Sequence, residues 1–225
     1  MKNLTLITSI AFLTLGAHAQ SNFKYSSPEA REFEPIAIET AMAKTEAASL
    51  TESCGYSKVF YSKADLENLM NLSNCVGVRF YNGLADEKDA NCQIIAVAVT
   101  ENGKEIGHGK SSSYLHASSY DQDAKCTAHN VTKSNARSCV EHVANHRSFV
   151  SQKVFFSRDF LKARMAKADG VVLIPAYSEE ANTMMVAGAT LEDGQISELE
   201  GNYYKSQLPC PTDCGNPGNY LVSPD

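Results

Sequence analysis

The chain has no Trp among its 225 residues, and Gly and Pro hold only 13 and 7 positions. Basic residues are the scarcer charge, 20 Lys and Arg against 26 Asp and Glu, a formal net charge of -6. That deficit excludes a nucleic-acid binder working through a basic face that replaces phosphate counterions. Past the N-terminus no apolar run approaches the about 20 residues needed to cross a bilayer, so no membrane span is expected. No Gly-x-Ser-x-Gly elbow and no His-Glu-x-x-His pair occurs, which removes the hydrolases and zinc proteases those motifs define. What remains is 43% apolar and 20% charged. That is an ordinary globular composition, not a disordered tail, a collagen or a coiled coil.

Residues 1–19 read as a signal peptide. Lys2 supplies the positive end, Leu4 to Leu15 a short apolar stretch, and Ala17-His18-Ala19 the small residues before a cut at Gln20. The expected protein is secreted or periplasmic. Export gives meaning to the seven cysteines, Cys54, Cys75, Cys92, Cys126, Cys139, Cys210 and Cys214, all beyond that cut. Disulfides form and persist outside the cytosol. Seven is odd, so at least one thiol is left over for a free, metal-bound or intermolecular state.

An internal duplication organises the rest. Residues 58–63 read KVFYSK and residues 153–158 read KVFFSR. At the same offset Leu66 matches Leu161, Met70 matches Met165 and Val76 matches Val171. After a shorter loop, Asn91 matches Asn182, Ala96 and Ala98 match Ala187 and Ala189, and Asn102-Gly103 matches Asp193-Gly194.

Each copy has a legible local structure. Ser62 and Ser157 stand where a helix N-cap belongs, accepting from an otherwise unpaired amide. Asp65 and Asp159 place negative charge in the first turn, which suits the helix dipole. Leu66 with Met70 and Leu161 with Met165 form one apolar stripe. Strands follow at Val76 to Tyr81 and Cys92 to Thr100, matched by Val171 to Ala176 and Thr183 to Leu191. The second strand is apolar on both faces, so both faces are expected to be covered. The alanine pairs suggest close approach by a helix. Asn102-Gly103 and Asp193-Gly194 are hairpin signals leading into a third short strand. A helix is expected before each copy, from Pro35 through Met42 and over Ala136 to His146.

The expected fold class is therefore α+β, with two tandem repeats, each helix, short strand, helix and a three-stranded antiparallel meander. The divisions are the signal peptide at 1–19, a first repeat at 20–109, a polar Ser-rich connector at 110–133, a second repeat at 134–205 and an irregular Cys-containing tail at 206–225.

Cys75-Val76-Gly77-Val78-Arg79-Phe80-Tyr81, its hairpin, and the closing Cys210-Pro211-Thr212-Asp213-Cys214 carry a resemblance. They resemble an uncharacterised Bacteroidetes-type exported protein family with a G-C-x-G-[IV]-R-x-Y core and a C-P-x-x-C end, here tandemly duplicated. The resemblance implies a domain and no reaction. In the second copy Gly170, Val172 and Ile174 take the places of the Cys, Gly and Arg.

Chemistry-bearing residues gather in one segment. Cys126-x-x-His129 and Cys139-x-x-His142-x-x-x-His146 have metal-ligand spacing, and zinc takes such sulfur and nitrogen donors. The alternative is a Cys126–Cys139 disulfide, which the exported setting favours. Cys210 and Cys214 flank a tight turn suited to a staple. Thioredoxin-type sites need two intervening residues and a helix N-terminus, whereas three intervene here and Gly215, Asn216 and Pro217 follow. These observations lead to the expectation of an exported, non-catalytic protein with no cofactor, binding an unknown protein or small-molecule ligand. The alternative is a zinc-binding or thiol-redox protein acting through residues 126–146.

Overall fold

Ser62 and Ser157 each start a short helix in the way their sequence positions imply. The Ser62 Oγ accepts from the Asp65 amide at 3.1 Å, and the Ser157 Oγ accepts from the Phe160 amide at 3.3 Å. Both serines are extended in backbone, and each joins a strand directly to a helix. A computed structural model describes residues 35–45, 58–84, 92–106, 114–118, 128–146, 153–176 and 183–206. Its strands are β1 (Ile36–Ile38), β2 (Val59–Ser62), β3 (Cys75–Leu84), β4 (Cys92–Thr100), β5 (Tyr114–Ser118), β6 (His129–Asn130), β7 (Lys153–Ser157), β8 (Gly170–Ala176), β9 (Thr183–Glu192) and β10 (Gln195–Lys205). The helices are α1 (Lys63–Met70), α2 (Lys133–His146) and α3 (Arg158–Arg164), with residues 40–45 also helical. Helices beside antiparallel sheets make the chain α+β, with strand predominating.

The strands form two five-stranded sheets, ordered β1-β10-β9-β8-β2 and β6-β5-β4-β3-β7. Every pairing is antiparallel. The two orders correspond when each strand number is moved on by five. Each sheet combines two strands from one half of the chain with three from the other. The strand of the first KVF sequence, β2, lies on β8 (Tyr61 opposite Val171), and the strand of the second, β7, lies on β3 (Phe156 opposite Val78).

Alternation along the strands divides side chains between two faces. One core lies between the sheets and holds Tyr61, Val78, Phe80, Ile94, Ala96, Ala98, Phe156, Val171, Leu173 and Val186, closed by Leu66, Leu69 and Met70 of α1 and Leu161 of α3. On the far side of the first sheet, Phe60, Val172, Met185, Ala187 and Ala189 pack with Ala43 from the helical residues 40–45. On the far side of the second, Tyr81, Ile95, Val97 and Tyr114 pack with Ala136 and Val140 of α2. Residues 94–99 of β4 are buried on both faces, as their apolar run implies.

Several local expectations change. The helix expected from Pro35 begins only at residue 40, because Ile36–Ile38 extend and pair with β10; branched side chains suit that ladder. Within the expected connector, Tyr114–Ser118 and His129–Asn130 are sheet strands, with Tyr114 and Leu115 buried. After Asn102-Gly103 the described residues carry one bridge, Val99 to Glu105, and then β5 pairing with β4 from Tyr114, while after Asp193-Gly194 the third strand runs eleven residues. Ala96 and Ala98 face the inter-sheet core, whereas Ala187 and Ala189 face outward toward Ala43. The two alanine pairs therefore do not share an environment. The register also shifts the matching of the two halves. Gly77 faces Ser157 as Gly170 faces Ser62, so Gly170 stands where Gly77 does, not where Cys75 does.

Candidate functional site

Arg79 sits mid-strand in β3 between Val78 and Phe80, which point into the inter-sheet core. Alternation sends Arg79 and Tyr81 to the opposite face, beneath α2. There Arg79 is 1% exposed and Tyr81 fully buried, and they meet Glu105, 4% exposed, from the residue bridged to Val99. Tyr114 of β5 completes the group.

The four side chains form one hydrogen-bonded network. Glu105 Oε1 accepts from the Tyr81 hydroxyl at 2.6 Å and lies 3.5 Å from Arg79 Nη1. Its Oε2 accepts from the Tyr114 hydroxyl at 3.1 Å. Arg79 Nη2 donates to the Gly103 carbonyl at 3.0 Å, and Nη1 donates to the Tyr81 oxygen at 3.3 Å. The turn glycine that receives this bond has φ of 75°, a backbone conformation glycine adopts freely. Arg79 thereby ties β3 to the turn after β4, and Glu105 ties that turn to β3 and β5.

Burial raises the Glu105 carboxyl above its ordinary value, opposed by the Arg79 charge, the two tyrosine hydroxyls and Lys153. Burial also pushes the Tyr81 hydroxyl well above its usual range, so it stays a donor. A carboxylate held by a guanidinium and two phenols is satisfied from within the protein. Such a set fixes geometry. Sequence reading placed Arg79 and Tyr81 in a motif without seeing this role. The available signal was a charged residue at the centre of an otherwise apolar strand.

The residues singled out for chemistry are distributed otherwise. His129 is exposed on β6; Cys139 is half-buried on α2 against the Tyr81 and Tyr114 cluster, and His142 is half-buried one turn later. His146 ends the same helix. Cys126, Cys210 and Cys214 lie outside the described residues, as do residues 1–19. Among the described residues no three His, Cys, Asp or Glu side chains converge as a metal site, and no helix is long and apolar enough to cross a membrane.

Cys75 is buried, and its thiol donates to the Gly77 carbonyl at 3.2 Å. Burial raises its pKa. It opens β3 at the end where it pairs with Thr100, while Cys92 lies at the opposite end of the same ladder, paired with Leu84. No protein-family model matches the chain, and neither a curated protein nor a solved structure is significantly similar to it.

Proposed function

We propose that this is an exported, non-catalytic binding or interaction protein, built from two tandem α+β repeats and stabilised by disulfides, whose partner is a protein or a small-molecule ligand. The observation that carries the reading is the Arg79–Glu105 network. Its buried ionisable groups are committed to one another and to the turn at Gly103, so they hold the frame and leave recognition to the surface. The Gly, Arg and Tyr of the Bacteroidetes-type signature fall at Gly77, Arg79 and Tyr81. In this reading they serve packing and the network, which fits a family motif that marks a scaffold.

A second reading keeps a zinc-binding or thiol-redox role for residues 126–146. It is supported by the helical course of α2 through Cys139, His142 and His146, which places these positions on successive turns.

Intact mass under native and denaturing conditions, with and without thiol alkylation, separates the two. The binding reading expects a chain beginning at Gln20 with two or three disulfides and no metal. A zinc adduct lost on unfolding would replace it with the second reading.

A further inference from the structure

The identity of the two sheet orders after a shift of five strands has a physical consequence beyond any ligand. Each sheet contains the meander of one half, β3-β4-β5 or β8-β9-β10, flanked by two strands from the other half, β6 and β7 or β1 and β2. The covering helices follow the same exchange. Helical residues 40–45 cover the sheet holding β8–β10, and α2 covers the sheet holding β3–β5. The inter-sheet core draws on both halves without division.

The two exchanged strands are seated alike. β2 lies on β8 with Phe60 over Gly170, and β7 lies on β3 with Phe155 over Gly77. Both begin beside a lysine and an opposing glutamate from the recipient half. Lys58 forms an ion pair with Glu198. Lys153, buried at the start of β7, acts on the charge of Glu105. Glu198 and Glu105 hold corresponding places, opposite Ala189 in β9 and Val99 in β4.

We propose that the outer edge of β3 and the outer edge of β8 are each a docking site for a Lys-Val-Phe-[Tyr/Phe]-Ser strand and the helix that follows it. The occupant of each is the opposite half of the same chain. The protein is a covalently joined intertwined pair, and neither half folds as a separate domain. This inference stands independently of the proposed function.

The test uses the full chain with a specific protease site in place of residues 147–152, between α2 and β7, cut only after the folded protein is purified. Hydrogen exchange of the β3–β4 and β8–β9 amides is then followed by mass spectrometry through a urea series, beside size-exclusion chromatography. The expected result is a cut chain that elutes with the uncut one. Both sheets should lose protection at a common urea concentration, and any fragments that part should lose protection as they do. Fragments that separate in native buffer with their sheets still protected would overturn the proposal. So would sheets that lose protection at separate urea concentrations.

Discussion

Gly77 lies so close to Phe155 that a Cβ built on it would stand 2.5 Å from the ring's Cζ and 2.5 Å from the Phe156 carbonyl oxygen. Gly170 meets Phe60 in the same way, with a built Cβ 2.7 Å from Cζ and closer still to the Tyr61 carbonyl. Backbone on one side of each contact cannot yield, so glycine is required by close approach here and not by a turn. Gly77→Ala and Gly170→Ala should each lower stability by about 1–3 kcal/mol, the usual range for overpacking. Urea midpoints at unchanged slope check this. A midpoint that stays put in either variant would show that the strand seat is looser than described.

Removing one partner of the Arg79–Glu105 pair strands a buried charge. Arg79→Met alone or Glu105→Leu alone should cost about 3–5 kcal/mol, while the double variant should recover much of that loss, because well-packed apolar replacements of buried pairs are often near neutral. A double-mutant cycle on urea unfolding measures the coupling. Additive losses would mean that the two groups act separately.

Acidity acts on the same carboxyl. Burial lifts the folded pKa of Glu105 above its unfolded value, so the folded chain holds that proton more tightly. Its contribution to stability is complete below the unfolded pKa of 4.5 and is lost as pH rises through the folded pKa. The stability of the native chain relative to Glu105→Gln should therefore fall as pH rises above the unfolded value and through the raised folded pKa. Urea titrations at each pH give the difference, and a difference that grows with pH would contradict the assignment.

Tyr61 of β2 donates to the Ile94 carbonyl of β4 at 2.7 Å, joining the two sheets through the core. Its counterpart at β7 is Phe156, which has no hydroxyl to do this. Tyr61→Phe should cost about 1 kcal/mol, a typical buried hydrogen bond. Thermal denaturation and urea unfolding would both register it.

Cys75 should behave as a core residue. The residue is 2% exposed and its thiol is kept protonated by burial, and the thiolate is the reactive form. Iodoacetamide should label Cys75 only after unfolding, read by peptide mass mapping. Rapid labelling in native buffer would refute the packing given for the start of β3.

Local features were legible because local chemistry sets them. The caps at Ser62 and Ser157, the buried stripe at Leu66, Met70, Leu161 and Met165, and the Asp193-Gly194 turn all stand where the sequence places them. Both central residues of that turn have positive φ. What the sequence withheld is which strand lies beside which. KVFYS and KVFFS look alike as segments, and nothing within either says that it pairs with the other half of the chain. Ser62 also stands two positions further from Gly77 than Ser157 stands from Gly170, an offset that a gap-free alignment of the two strands conceals. The Arg79 network was hidden for a related reason. Its partners come from a turn and a strand, Glu105 and Tyr114, that the sequence pattern assigned to the edge of a repeat and to a connector.

The central claim is that the two sheets are one interlocked unit. Native-state hydrogen exchange on the intact chain at low urea tests it most directly, comparing opening free energies for amides of β4 and β9, the middle strands of the two sheets. The account predicts one shared value, reached together as urea rises. Two separate values, with one sheet opening while the other stays protected, would contradict it.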